Sequence, residues 1–459
     1  MAVLVFAGVF ALLIGGLTSF IFVQNRLQVA KEHRESALQI AEAGLNYYRW
    51  FLAHNPEDIT NGTGEPGPYT IPYNDPEAGQ VGTATLTIDG NEQCGQITSI
   101  DISSEGHTLQ KPEYARTVLG RYARPSVAEF AYIIDASVWA GADRDIRGRY
   151  HANGGIRMDG TNQSTVTSAV STWQCTGSFG CNPTQTQPGV FGAGTGSELW
   201  EFPVPQIDFV GLTSDLVAMK TRAQTNGVYI GPSNDDGYRM VLRNNGTFDL
   251  YRVRNTSYAW SIHIDDLSTW QRDYHTITSQ TFLANYELPD DCGLVFIEDK
   301  VWLEGVVSGK ITIVAANVID ANNDPDLILN NNITYSNYDG SDGLTAIGEH
   351  SVLIPLVVPS SMELHGVFIA QRGYFGRNLY RCQYAPYDKR TLLSVTGSIV
   401  SSERVGTKWS YSYSGCGSTW SGFDTRENAY DRKLATDPPP LTPYVSDEYR
   451  FVEWREENN

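Results

Sequence analysis

Three pairs of adjacent aspartates come first: Asp235 with Asp236, Asp265 with Asp266, and Asp290 with Asp291. Two carboxyl groups facing each other across a sugar are what a glycosidase needs. Neighbours on a strand point to opposite faces, so these doublets cannot form such a pair and read as turn residues. In the stretch DANNDPD, Asp320, Asn322, Asp324 and Asp326 place oxygen ligands at alternate positions, a pattern that suits Ca²⁺. The twelve-residue loop with its closing glutamate is absent and Pro325 interrupts, so turn chemistry is the better reading. Calcium is the one cofactor left open. The glycine-rich GAGTGSE, Gly192–Glu198, lacks the strand before it and the helix after it that would make a phosphate cradle. The eight histidines are scattered, none four residues from another, and no HExxH, GxSxG or Walker loop occurs. No catalytic residue and no metal ligand is assigned, and the expectation is a protein that is not an enzyme. Trp139, Trp173, Trp200, Trp260 and Trp420 are candidate sugar-stacking side chains, with core packing as the favoured reading.

The six cysteines include no CxxC pair, which argues against a zinc ribbon or a thioredoxin-like site. Their even number is compatible with three disulfides. Cys175 and Cys181 can pair within one loop, and Cys382 with Cys416 can staple the C-terminal region. Six cysteines allow fifteen connectivities, so these are two candidates among many. The chain has 459 residues, enough for two or three domains, and a net charge of −19 that is spread rather than blocked. Such a body repels nucleic acid and anionic lipid, so neither is expected as a ligand. Disulfide-compatible cysteines, abundant Trp and Tyr and scarce Lys together suggest an extracytoplasmic protein.

The elements that must carry this body begin with an uncharged stretch, residues 1–23, long enough to cross a membrane. The first charge is Arg26, followed by Lys31 and Arg34. Basic residues normally stay on the cytoplasmic side, which taken literally would keep the body inside the cell. The expectation that resolves this is a mature chain from which a short basic leader has been cut before Met1. Beyond the span, Leu27, Ala30, Ala37, Ala41, Leu45, Tyr48 and Leu52 recur mostly at helical spacing, and Pro56 predicts an end near His54. Ala7, Ala11, Gly15 and Ser19 fall on one face of the span, a small-residue stripe where another helix can approach closely.

A span followed directly by a long amphipathic helix resembles the type IV pilins and secretion pseudopilins. The stretch SALQIAEAGLNYYRW is similar to the N-terminal region of PilX-like minor pilins, with AEAG here as Ala41, Glu42, Ala43 and Gly44. The resemblance covers about residues 1–54. It implies a membrane-embedded precursor whose helix later packs against other pilin subunits in an extracellular filament. Most major pilins carry a glutamate four residues after the first; this chain has Val5 there. That departure fits a minor or tip-proximal subunit better than the bulk one. NGGI and the DPPPLTP ending are also similar to PilX-type ectodomains, more weakly.

The expected architecture is α+β. A pilin-type helix occupies residues 1–55 and a small antiparallel meander residues 56–125. A large β-rich head fills residues 126–459, with an irregular insertion near 160–290. In the meander, Thr83 to Ile88, Ile97 to Ile102 and Ala115 to Tyr122 read as strands, with DGNEQCG as a turn and Tyr47, Tyr48, Trp50 and Phe51 packing on it. YRMVLRNNGTFDLYRV reads as a hairpin. Short apolar strands with polar corners from residue 294 onward predict a β-solenoid, with a β-sandwich as the alternative. The expected function is a minor pilin-type subunit of a pilus or related filament, with a surface or glycan as a further partner. The alternatives are a membrane-anchored β-helix enzyme acting on polysaccharide and a single-pass surface protein unrelated to pili.

Overall fold

The computed structural model describes residues 2–56, 58–212, 215–289, 292–320, 324–446 and 448–457. They form two compact units. One holds residues 1–92, 97–124 and 448–459; the other holds residues 93–96 and 125–447.

In the first unit, helix α1 (Ala2–His54) runs 53 residues without a break, about 80 Å at 1.5 Å per residue. It stops just before Pro56, where the Asn55 backbone and side-chain amides both donate to the Phe51 carbonyl. Its second half lies on an antiparallel sheet of β1 (Tyr69–Asp75), β2 (Gly79–Gln93), β3 (Gln96–Thr108), β4 (Arg116–Ala123) and the C-terminal strand Arg450–Glu456. The strand β2 continues to Gln93, so the turn expected over DGNEQCG tightens to Cys94 and Gly95. Both have positive φ, 51° and 71°, the geometry that matches the twist of a two-residue hairpin.

Ala37, Ile40, Ala41, Leu45, Tyr48 and Leu52 are buried on the sheet side of α1, against Leu86, Ile100, Ile102, Val118 and Tyr122. This is the apolar stripe of a surface helix, and each large side chain contributes roughly 1.5–3 kcal/mol by leaving water. Trp50 departs from the expected packing. Two residues beyond Tyr48 is about 200° round the helix, so Trp50 points outward, 59% exposed, against the rings of Tyr47 and His54.

The second unit is built mainly from parallel ladders. One passes through Val228–Ile230, Leu294–Ile297, Lys310–Ala315, Gly343–Gly348, Ser361–Ala370 and Lys389–Ser401. It continues onto Phe130–Ile134, Arg149–Ala152, Val166–Ser168 and Trp200–Glu201. Another joins Gly237–Leu242, Val301–Val307, Leu327–Tyr335, Ser361–Ala370, Lys389–Ser401, Gly417–Ala429, Arg144–Arg147 and Thr161–Asn162. The chain therefore enters the stack in its middle, builds one end, crosses to the other end and returns until Ser401 pairs with Ile134. Apolar residues of successive strands stack inside: Val295, Ile313, Ala346, Phe368 and Ile399 are all buried. At one bend Gly366 and Gly397 are superposed, with φ of 141° and 136°; a Cβ on Gly397 would lie 1.9 Å from the Gly366 carbonyl oxygen, so only glycine fits.

Two expected boundaries are corrected. The stretch 160–290 is no simple insertion, because Val166–Ser168 and Trp200–Glu201 belong to the ladder and Gly237–Leu242 starts another. The strand at the C-terminus belongs with the first unit, since Arg450–Glu456 pairs antiparallel with β4. The last pairing joins residues more than three hundred positions apart. Disulfides join Cys175 to Cys181, Cys382 to Cys416 and Cys94 to Cys292. The last pair, separated by 198 residues, was not singled out by spacing.

Two outcomes follow for stability. Gly106→Ala places a Cβ 2.2 Å from the Ala37 carbonyl oxygen and 2.4 Å from the Ala41 nitrogen of α1. It should cost about 1–3 kcal/mol of first-unit stability as overpacking, read as an earlier thermal transition. Replacing Cys94 and Cys292 by serine should cost about 3 kcal/mol more than the same change at Cys175 and Cys181 on the loop-entropy scale, read by non-reducing urea denaturation.

Candidate functional site

Two regions carry functional geometry, one in each unit. The first is the bare half of α1. Val3, Phe6, Leu12, Leu13, Phe20, Phe22 and Leu27 are all exposed. An uncovered apolar rod of this length is far beyond the scattered exposure of an ordinary soluble surface. The run Ala2–Val23 spans roughly 33 Å, close to the hydrocarbon thickness of a bilayer. The Thr18 hydroxyl donates to the Ile14 carbonyl at 2.8 Å, so that group is satisfied within the helix. Ala7, Ala11, Gly15 and Ser19 are exposed on this segment, and a Cβ on Gly15 would meet nothing within 4 Å.

The other predicted motif lies where α1 meets the sheet. Ala41 and Gly44 are buried, while Glu42 and Ala43 are half-buried. A Cβ on Gly44 would sit 2.5 Å from Ser104 Oγ and 2.9 Å from the Ala84 Cβ. The Ser104 hydroxyl donates to the Ala41 carbonyl at 2.7 Å, and the Tyr122 hydroxyl donates to the Leu45 carbonyl at 2.7 Å. Burial pushes the Tyr122 phenol far above its usual range, so it stays a donor. The small residues of AEAG thus let the sheet come near enough to hydrogen-bond the helix backbone.

The remaining sequence candidates are dispersed. Asp235 pairs with Arg254 at 3.0 Å, Asp236 accepts from Thr256 and Asp266 from Ser268, while Asp290 and Asp291 lie outside the described residues. In DANNDPD, Asp324 faces Arg372 at 3.1 Å and Asp326 faces His350 at 3.1 Å; Asn322 lies outside the described residues. Among the described residues no three His, Cys, Asp or Glu side chains converge as metal ligands. Gly192 and Gly194 close onto the backbone of Met158 and Gly160. Of the tryptophans, Trp173 is buried and the other four are half-buried. Trp260 is joined by aromatic residues that sequence reading missed: Arg381 lies over Trp260, Trp270 and Tyr413 at 4.3–5.1 Å, and Arg272 lies over Tyr258 and Trp260.

The second region is a cleft of about 420 Å³ in the second unit. Three strands carry its polar side: Gly237–Leu242 brings Arg239, Trp270–Glu287 brings His275 and Gln280, and Leu327–Tyr335 brings Asn330 and Asn331. The segment from Pro355 to Pro359 forms an apolar wall. Buried charges support this lining. Glu304 contacts the Arg239 guanidinium and accepts from the Asn330 amide at 2.6 Å. Asp273 contacts Nδ1 of His275 and accepts from the hydroxyl of Tyr380 at 2.6 Å and the amide of Asn378 at 3.2 Å. Burial alone would raise the Asp273 pKa; the His275 ring and these donors outweigh it and hold the carboxyl at about 2. Arg377, fully buried, donates to the carbonyls of Pro355, Leu356 and Tyr387 and so fixes the apolar wall; burial lowers its pKa to about 10. Asp273-x-His275 was a legible signal, because residues two apart on a strand share a face. Arg239, Glu304 and Asn330 come from three separate strands and had none.

No protein-family model matches the chain, and no curated protein matches it. Among solved structures it is similar to the crystal structure of the competence-associated pilin ComZ from Thermus thermophilus, over 92% of this chain and 97% of that one. The identity is 13% and the TM-score 0.32.

Because the Asp273 pKa is depressed when folded, the carboxylate contributes stability above about pH 4 that is lost as pH falls toward 2. The wild-type chain should lose roughly 2 kcal/mol through this group over that window. Asp273→Asn should be less stable at pH 7 and show a flatter acid limb in a pH series of melting temperatures.

Proposed function

We propose that the chain is a pilin-type subunit of a type IV pilus or related filament, of the PilX-like minor class. In this reading α1 anchors the precursor in the inner membrane and later packs against the helices of other pilin subunits, with the small-residue face of Ala7, Ala11, Gly15 and Ser19 as the contact. The head is displayed outside the cell, initiates or caps the fibre, and carries the contact with a surface or glycan. The observation that carries the proposal is a single unbroken helix, bare and apolar over its first half and packed on an antiparallel sheet over its second. A soluble protein would not leave such a rod uncovered. The parallel ladders of the second unit support reading the head as a β-solenoid. We take the chain to be structural, with no catalytic role, cofactor or nucleic-acid partner. The net charge of −19 supports the last point.

The test is recovery of the tagged chain in sheared filaments. Wild type should enter the sheared fraction. Ala11→Leu with Gly15→Leu should lower that recovery severalfold while leaving the chain in the membrane, because bulk on the stripe holds helices apart. A chain that inserts in the membrane yet never enters filaments refutes the proposal. One observation favours a second reading, an anchored polysaccharide-active enzyme: the cleft gathers an Asp–His and an Arg–Glu pair. That reading requires new reducing ends when the purified chain meets polysaccharide; the filament reading requires none.

A further inference from the structure

We propose that the cleft between Arg239, His275 and the Pro355–Pro359 segment is a binding site for a neutral oligosaccharide. This rests on the filament reading and deepens it by naming the ligand class of the head.

The cleft is built to hold its shape. Glu304 fixes both Arg239 and Asn330. Asp273 fixes His275, whose main-chain carbonyl also accepts from the buried Trp302 indole at 2.8 Å. Arg377 fixes the opposite wall through the Pro355 and Leu356 carbonyls. Polar lining groups held by a buried supporting layer are what a specific site needs, and the volume lies within the usual range for small-molecule sites.

The chemistry of the lining selects the ligand. Asp273 contacts Nδ1 of His275, which leaves Nε2 as the ring's other hydrogen-bonding atom. Asn330 spends an amide N–H on Glu304 and keeps its oxygen for a ligand; Asn331 accepts from the Asn332 backbone and keeps its NH₂. Gln280 is exposed at the rim. Amides and an imidazole offer donors and acceptors side by side, which suits hydroxyl groups that are both. Across from them Pro355, Val357 and Val358 present an apolar surface for the C–H face of a sugar ring. The guanidinium of Arg239 is neutralised by Glu304, in a chain of net charge −19, so an acidic sugar finds no uncompensated cation. An extended peptide is disfavoured because the lining is side-chain amide rather than a row of open backbone donors and acceptors.

The test uses the full chain in a sugar-free detergent, with calorimetry and tryptophan fluorescence as readouts. The probes are maltohexaose, cellohexaose and N-acetylchitohexaose, with hexagalacturonate as the charged comparison. At least one neutral hexamer should bind with a Kd below about 1 mM and more tightly than hexagalacturonate. Gln280→Ala with Asn331→Ala, two exposed side chains whose loss spares the core, should weaken that binding roughly tenfold or more without changing the melting temperature. Failure of all three neutral probes to bind, tighter binding of the charged one, or unchanged affinity in the double variant overturns the proposal. Recovery of the double variant in sheared filaments should equal wild type, so a failed cleft and a failed filament assignment give different results.

Discussion

The first unit depends on how closely one helix can approach one sheet. At Gly106 the separation leaves no room for even a β-carbon, because the helix backbone of Ala37 and Ala41 occupies that space. Gly82 on β2 is in the same position against Ile40. This proximity lets Ser104 and Tyr122 donate to carbonyls that already serve the helix ladder. Each hydroxyl is satisfied in a buried place, where an unpaired one would cost about 1–3 kcal/mol. The helix is clamped along one face from Ala37 to Leu52, and its first half projects as a continuation of the same rod.

The second unit solves a different problem. Its central parallel strands, Leu294–Ile297, Lys310–Ala315 and Gly343–Gly348, contribute almost entirely buried side chains, as expected where parallel ladders enclose a core. The offsets between partners in one ladder are unequal: Val295 pairs with Ile313, Ile313 with Ala346, Ala346 with Phe368 and Phe368 with Ile399. Chain that leaves the stack, as the hairpin strand Trp270–Glu287 and the Pro355–Pro359 wall, forms the cleft together with the ladder strands Gly237–Leu242 and Leu327–Tyr335. Charges that would be costly alone are buried here among hydrogen-bond partners; at Asp273 these outweigh the desolvation, while at Arg377 burial still lowers the pKa to about 10. Asp273 is surrounded by donors, and Arg377 by carbonyl oxygens. The polar layer beneath the cleft is therefore both a stability element and the reason its surface groups have one orientation.

The long helix, its end before Pro56 and its sheet-facing stripe were all legible in the sequence, because helical periodicity and proline placement are local signals. Trp50 was misplaced because a cluster of aromatics hides the phase of the helix. The unequal offsets obscured any repeat, so strands could be recognised in LVFIEDKVWLEGVV and its successors while their partners could not. Of the paired charges that support the cleft, Asp273 and His275 are close enough in sequence to be seen together, whereas Arg239 and Glu304 are not.

By itself the sequence determined the apolar span, the amphipathic half that follows it, the small residues at Ala41 and Gly44, and the β character of everything beyond. These are properties of short windows, set by backbone preference and side-chain period. Only the tertiary structure decided that the last strand returns to β4, that Ser401 pairs with Ile134, that Cys94 meets Cys292, and that Glu304 and Asp273 stand behind one cleft. Each of those joins residues more than a hundred positions apart or gathers side chains from separate strands. Their partners are chosen by which surfaces the whole chain can bury at once, and no window of sequence contains that choice.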